Sequence, residues 1–128
     1  MSDVVLDASA VLAMLRGEPG GDTVADHIGR EAIAAVNLQE VAKEMLREGA
    51  AIEAIRSVFD ELGLDVHPYD REAAYAAASL YEQTRQHGRG LGDRSCMALG
   101  LQLAIPVLTA DRVWTKIEVK GLAVQQLR

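Results

Sequence analysis

Short uninterrupted apolar runs alternate along the chain with longer stretches in which apolar positions recur every three or four residues. Val4-Val5-Leu6 is the first run, and it predicts a buried parallel strand. Ala8 to Leu15, apolar on every side apart from Ser9, predicts a buried helix. Gly17 to Gly21, with Pro19, is a break, and Asp22 to Gly29 a short helix. Ala32 to Val36 reads as a second strand. Leu38, Val41, Ala42, Met45 and Leu46 then form one helical stripe, opposite Glu40, Lys43, Glu44 and Arg47. Asn37 and Glu40 have the form of a capping box at its start. Gly49 ends this helix, and Ile52, Ile55, Phe59 and Leu62 stripe the next one as far as Gly63.

Leu64 to Tyr69 predicts a third strand, and Asp70 caps a long helix whose face is Ala73, Ala77, Leu80, Tyr81 and Thr84. His87 to Gly92 reads as a flexible loop. The helix that opens at Asp93 is apolar on nearly every face, hence buried. Pro106 to Thr109 is a fourth strand, Val113-Trp114 opens a short turn or helix, and Leu122 to Leu127 is a short last strand. Strands alternating with helices predict an α/β fold: a parallel sheet of four to five strands sandwiched between helices. No internal repeat divides the chain, so residues 1–128 read as one domain.

Length and composition narrow the class. The 128 residues suffice to bury a core, and 49% hydrophobic with 25% charged residues is ordinary for a soluble globular protein. A single cysteine, Cys96, excludes an internal disulfide and a multi-thiolate zinc site, and its place in the apolar helix makes it a core residue. Met1-Ser2-Asp3 lacks the positive start of a signal peptide, and no apolar run reaches membrane-spanning length. A cytoplasmic protein without a membrane role is expected. The net charge of −6 argues against indiscriminate nucleic-acid binding, which needs basic surface. It is compatible with an acidic metal site and with a partner that carries a basic tail.

The chemistry lies in four acids. Asp7 and Asp111 each follow a strand at its carboxyl end, where ligands of open α/β sheets collect. Glu40 and Asp93 stand in the first turns of helices that leave the same rim. Each has a purely structural reading: Asp7 and Asp93 as helix caps, Glu40 as half of a capping box, Asp111 as a turn residue. None of these explains why four acids fall at one rim. Such a group needs neutralising, because like charges raise one another's pKa or push loops apart. Hard oxygen ligands suit Mg2+ or Mn2+, and the usual chemistry of that arrangement is attack of an activated water on a phosphodiester.

Val5-Leu6-Asp7-Ala8-Ser9-Ala10, Asn37-Leu38-Gln39-Glu40-Val41, Leu91-Gly92-Asp93-Arg94-Ser95-Cys96 and Leu108-Thr109-Ala110-Asp111-Arg112-Val113-Trp114 resemble the four acidic motifs of PIN-domain ribonucleases. The nearest resemblance is to VapC-type toxins of VapBC toxin–antitoxin systems, and it covers essentially the whole chain, in order and with fitting spacing. It implies a parallel-sheet α/β/α fold, a single PIN domain, and Mg2+- or Mn2+-dependent endoribonuclease activity. It also implies Asp7, Glu40, Asp93 and Asp111 as the catalytic, metal-binding acids, with Ser9 as a supporting hydroxyl. Asp111 lies where such proteins vary most. The partners implied are an RNA substrate, a second copy of the chain in a homodimer, and a VapB-type antitoxin whose basic C-terminal segment covers the acidic groove.

Arg85, Arg89, Arg94, Arg112 and Lys116 flank the acids in sequence and are candidates for RNA phosphates. Arg94 and Arg112 each adjoin a proposed ligand and are the best placed. Gly88, Gly90 and Gly92 lack the form of a phosphate-binding loop. His27, His67 and His87 have no ligand spacing and read as exposed or strand-edge residues. Trp114 could stack on a base, but packing against the sheet's end accounts for it as well. Three other readings compete. A phospho-receiver module needs paired acids after the first strand and an acceptor Asp after the third; here Ala8 follows Asp7, and only Asp70 stands beyond Pro68. A haloacid-dehalogenase phosphatase needs a second Asp where Ser9 stands. A PIN-like domain that only binds or regulates would have no need of four intact acids.

Overall fold

The computed structural model describes residues 1–87 and 90–128. Among them five short strands, β1 (Val4–Leu6), β2 (Glu31–Ala34), β3 (Asp65–His67), β4 (Val107–Thr109) and β5 (Val124–Gln126), form one wholly parallel sheet. The order across it is β3-β2-β1-β4-β5. Val5 of β1 stands level with Ala32 on one side and Val107 on the other. Successive strands are added away from β1 in both directions, so the order reverses between β1 and β4. A crevice at such a reversal is where a parallel sheet offers a ligand site.

Seven α-helices among the described residues accompany the sheet: α1 (Ala8–Arg16), α2 (Gly21–Asp26), α3 (Ala35–Arg47), α4 (Ile52–Leu62), α5 (Arg71–Ala78), α6 (Tyr81–Thr84) and α7 (Leu91–Leu103). The period of two along β1 decides which face meets which layer. Val4 and Leu6 pack with Ala10, Val11, Ile33, Val41 and Leu108. Val5 packs on the other face with Cys96, Met97, Leu99, Val107 and Trp114. α7 carries six consecutive buried residues, Ser95 to Gly100, as an all-round apolar helix requires. The glycines at residues 17 and 63 take left-handed backbone just beyond α1 and α4 and end both helices where the sequence predicts.

Four sequence expectations change. The second strand ends at Ala34 and α3 begins at once at Ala35, so Asn37 is inside the helix and no capping box forms. Glu40 consequently stands in the second turn of α3, not the first. The long helix after Asp70 breaks at Ser79–Leu80 into α5 and α6. Leu80, Ala77 and Thr84 remain buried, but the break turns Tyr81 outward, where it is 52% exposed. The expected loop at His87–Gly92 is shorter: His87 belongs to a 3-10 turn and α7 starts at Leu91, while Gly88 and Arg89 lie outside the described residues. The remaining differences are end effects of one to three residues, as hydrogen-bonded element ends commonly show. No helix among the described residues is long and apolar enough to cross a membrane.

Candidate functional site

Asp7 leaves β1 at its carboxyl end and immediately precedes α1, yet its side chain makes no capping bond to that helix. Only 4% of Asp7 is exposed, and its Oδ2 accepts from two side-chain hydroxyls instead. Ser9 Oγ donates to Asp7 Oδ2 at 2.7 Å and Thr109 Oγ1 donates to the same oxygen at 2.9 Å. Each hydroxyl has one proton, and both are spent on Asp7. As acceptors, the Ser9 hydroxyl takes the Ala110 N–H at 3.0 Å and the Thr109 hydroxyl takes the Asp111 N–H at 3.1 Å. The turn after β4 thus hangs from the carboxylate at the end of β1. The structural role weighed for Ser9, a hydroxyl bonded to Asp7, is present. Burial raises the Asp7 pKa above the ordinary carboxylate range, the two hydroxyl bonds oppose the rise, and the Glu40 charge adds to it.

Glu40 reaches the same place from the opposite helix. Asn37 Nδ2 donates to Glu40 Oε1 at 2.8 Å and to the Gly92 carbonyl at 3.0 Å. Asn37 is fully buried and ties α3 to the first turn of α7. Gly92 supplies the room: a side chain there would collide with the Glu40 carboxylate. Asp93 follows in that first turn. Asp7, Asp93 and Glu40 all act on one buried group, the Cys96 thiol, whose pKa burial pushes well up and the three negative charges push further. The thiol stays protonated, so the donors on offer are oxygens.

Asp111 is half-buried and caps the 3-10 turn Arg112–Lys116 by accepting from Val113 N at 3.0 Å. The turn-residue reading of Asp111 is therefore present, on the β4 side of the crevice. Among the described residues no three His, Cys, Asp or Glu side chains converge into a ready-made metal cluster. Asp7 and Asp111 each direct an oxygen to local hydrogen bonds, and Asn37 turns Glu40 against Gly92. The chemistry of the donor set nevertheless fits a hard divalent cation: oxygens only, one carboxylate buried and destabilised as an anion, and further negative charge beside it.

The flanking cations separate. Arg94 Nε donates to Thr84 Oγ1 at 2.9 Å, and its guanidinium lies over the Tyr81 ring, 5.1 Å from the centroid. Arg112 Nε donates to the Arg128 carbonyl, and Arg85 pairs with Glu82 at 3.3 Å. Lys116 is exposed, and Arg89 is outside the described residues. Trp114 is 1% exposed, which leaves packing as its role. His67 bonds Asp65 on the edge strand at 3.0 Å. The sequence reading passed over Asn37 and Thr109 as site residues. The available signal was a polar residue closing an apolar strand, in Thr109, and an amide three residues before an acid, in Asn37.

A family model described as the PIN domain matches residues 4–120. No curated protein matches the sequence. Among solved structures, DNA-bound VapBC from Salmonella typhimurium aligns over 100% of this chain and 100% of its own, with 17% identity and a TM-score of 0.73. VapBC2 from Rickettsia felis, bound to a promoter DNA fragment, aligns over 98% of each chain with 14% identity and a TM-score of 0.72. VapBC-5 from Mycobacterium tuberculosis, of the VapBC family of toxin–antitoxin systems, aligns over 97% of this chain and 98% of its own, with 23% identity and a TM-score of 0.63. These likenesses speak for the fold.

Proposed function

The chain belongs to the PIN-domain family, and on that footing we propose that it is a metal-dependent endoribonuclease, the toxin of a type II toxin–antitoxin pair. The observation that carries this reading is the meeting of α3 with the first turn of α7: Asn37 bonds both Glu40 and the Gly92 carbonyl, one residue before Asp93, while the buried Asp7 closes β1. In this reading three elements that are distant in sequence bring their acids toward the β1/β4 crevice. A structural domain gains nothing from that crowding. In this reading residues 1–128 are one PIN domain.

Asp7, Glu40 and Asp93 would hold Mg2+ or Mn2+, with Asp111 from the far side of the crevice. When bound, such an ion activates water and neutralises the charge that builds on the phosphate. The residues of the chain do the rest. Ser9 and Thr109 orient Asp7 and keep a carboxylate available in a buried place. Asn37 positions Glu40 and fixes the first turn of α7, and so Asp93. Arg94 and Arg112 flank the acids and would hold phosphates of the RNA strand.

Other solved complexes of the same fold support a partner. FitAB bound to a DNA fragment and a Klebsiella pneumoniae toxin–antitoxin complex share this fold. We infer a VapB-type antitoxin for this chain, with a basic segment that complements the net charge of −6, a homodimeric toxin, and a cytoplasmic place of action. Induced expression in bacteria tests the reading. Growth arrest with new, discrete RNA ends, both lost in Asp93→Asn, is the expected outcome. Unchanged growth and unchanged RNA ends, with folded protein present, would contradict it.

A further inference from the structure

The break between α5 and α6 leaves Tyr81 in an unusual position. An aromatic ring that the helical stripe would bury is instead 52% exposed. Arg94, the residue after Asp93, lies across that ring. Its Nε is fixed by Thr84, whose fully buried hydroxyl in turn donates to the Leu80 carbonyl at 2.7 Å. The guanidinium is therefore held over one face of Tyr81 by a buried anchor, in the first turn of α7. Among the described residues Arg94 makes no ion pair, in a chain that carries a net charge of −6.

An oriented cation without a carboxylate is suited to an anion from outside, and its remaining N–H groups fit a phosphate. An exposed ring backed by a cation suits a base, since every base has a π-face. We propose that Tyr81 and Arg94 form a ledge for single-stranded RNA at the rim of the acid site, Tyr81 stacking one base and Arg94 holding an adjoining phosphate. The inference rests on the ribonuclease reading and adds a substrate-binding residue, Tyr81, that the acidic motifs do not contain. Thr84 is a positioning residue, acting through Arg94.

The test uses Asp93→Asn protein, which binds without cutting, and a fluorescein-labelled single-stranded RNA of mixed sequence read by anisotropy. Tyr81→Ala should weaken binding about tenfold, and Tyr81→Phe should restore it. The salt dependence separates the two halves of the ledge. Arg94→Gln should lower the slope of log Kd against log salt by about 0.7, one phosphate contact on a single strand. Tyr81→Ala should leave that slope unchanged. Arg94→Lys serves if the glutamine variant does not fold: it keeps the charge and the slope but loses the guanidinium that Thr84 orients over the ring, and affinity falls. Parent protein that binds RNA while Tyr81→Ala binds equally well overturns the ledge alone. Parent protein that binds no RNA overturns the ribonuclease reading and the ledge with it.

Discussion

The Glu40 carboxylate occupies the space where a side chain on Gly92 would stand. Two helices distant in sequence thus meet through an acid and the absence of a Cβ. Gly92 lies in the first turn of α7 with no special backbone angle, so alanine there suits the helix by up to about 1 kcal/mol. The obstacle is the end of Glu40, which Asn37 holds by one hydrogen bond. Gly92→Ala is therefore expected to leave the melting temperature close to the parent's, the helix gain offsetting the lost bond of about 1 kcal/mol, while displacing Glu40 and cutting RNA about 100-fold more slowly. Calorimetry and a cleavage assay on one preparation check that activity falls while the fold holds.

Thr109 holds Asp7 with its single proton and takes the Asp111 N–H with its oxygen. Thr109→Val keeps the shape and removes both bonds in a fully buried place. The expected loss is about 1–3 kcal/mol of stability, the cost of stranding buried polar groups. Chemical denaturation measures it. The pH at which activity rises should also move upward, because a bond that favours the Asp7 carboxylate is gone.

Asp7 gives a pH dependence of defined sign. Its folded pKa is raised, so the folded chain holds that proton more tightly than the unfolded chain. The contribution to stability is complete below the unfolded carboxylate pKa and is lost as pH rises through the raised folded value. Asp7→Asn removes the loss. In the presence of a chelator the variant should be more stable than the parent at neutral pH by about 1 kcal/mol, and the gap should close in acid. Denaturant midpoints over a pH series decide this; a variant that is less stable at every pH would mean the hydrogen bonds to the anion outweigh its desolvation.

Divalent metal should raise the melting temperature of the parent. At 100 times the dissociation constant the gain is about 2.7 kcal/mol. Asp93→Asn should lose most of that gain, and Arg112→Gln should keep it, since only the first removes a proposed donor. Melting curves in Mn2+ and in EDTA make the comparison.

The alternation of short apolar runs with striped helices sufficed to read the parallel sheet, because burial sets that pattern directly. It also placed Asp7 and Asp111 at strand ends and Asp93 in a first helical turn. The start of α3 was less legible. Ala34 and Ala35 suit strand and helix alike, so the polar Asn37 was read as the cap, whereas packing buries it between α3 and α7. The outward turn of Tyr81 was equally hidden, since the stripe from Ala73 to Thr84 continues past a break that no Gly or Pro announces. Asp111 was readable both as turn and as ligand. Its bond to Val113 N shows that the local role exists, and the proposed metal role would draw on the same carboxylate.

The most direct test is the rate at which purified protein cuts a labelled single-stranded RNA in Mn2+, measured for the parent, for the parent in EDTA, and for Asp93→Asn. The account predicts cleavage at discrete positions by the parent, none in EDTA, and a loss of about 100-fold or more in Asp93→Asn with an unchanged fold. Cleavage at the parent's rate by Asp93→Asn, or in EDTA, would contradict the assignment of the acids at the β1/β4 crevice as a metal-dependent nuclease site.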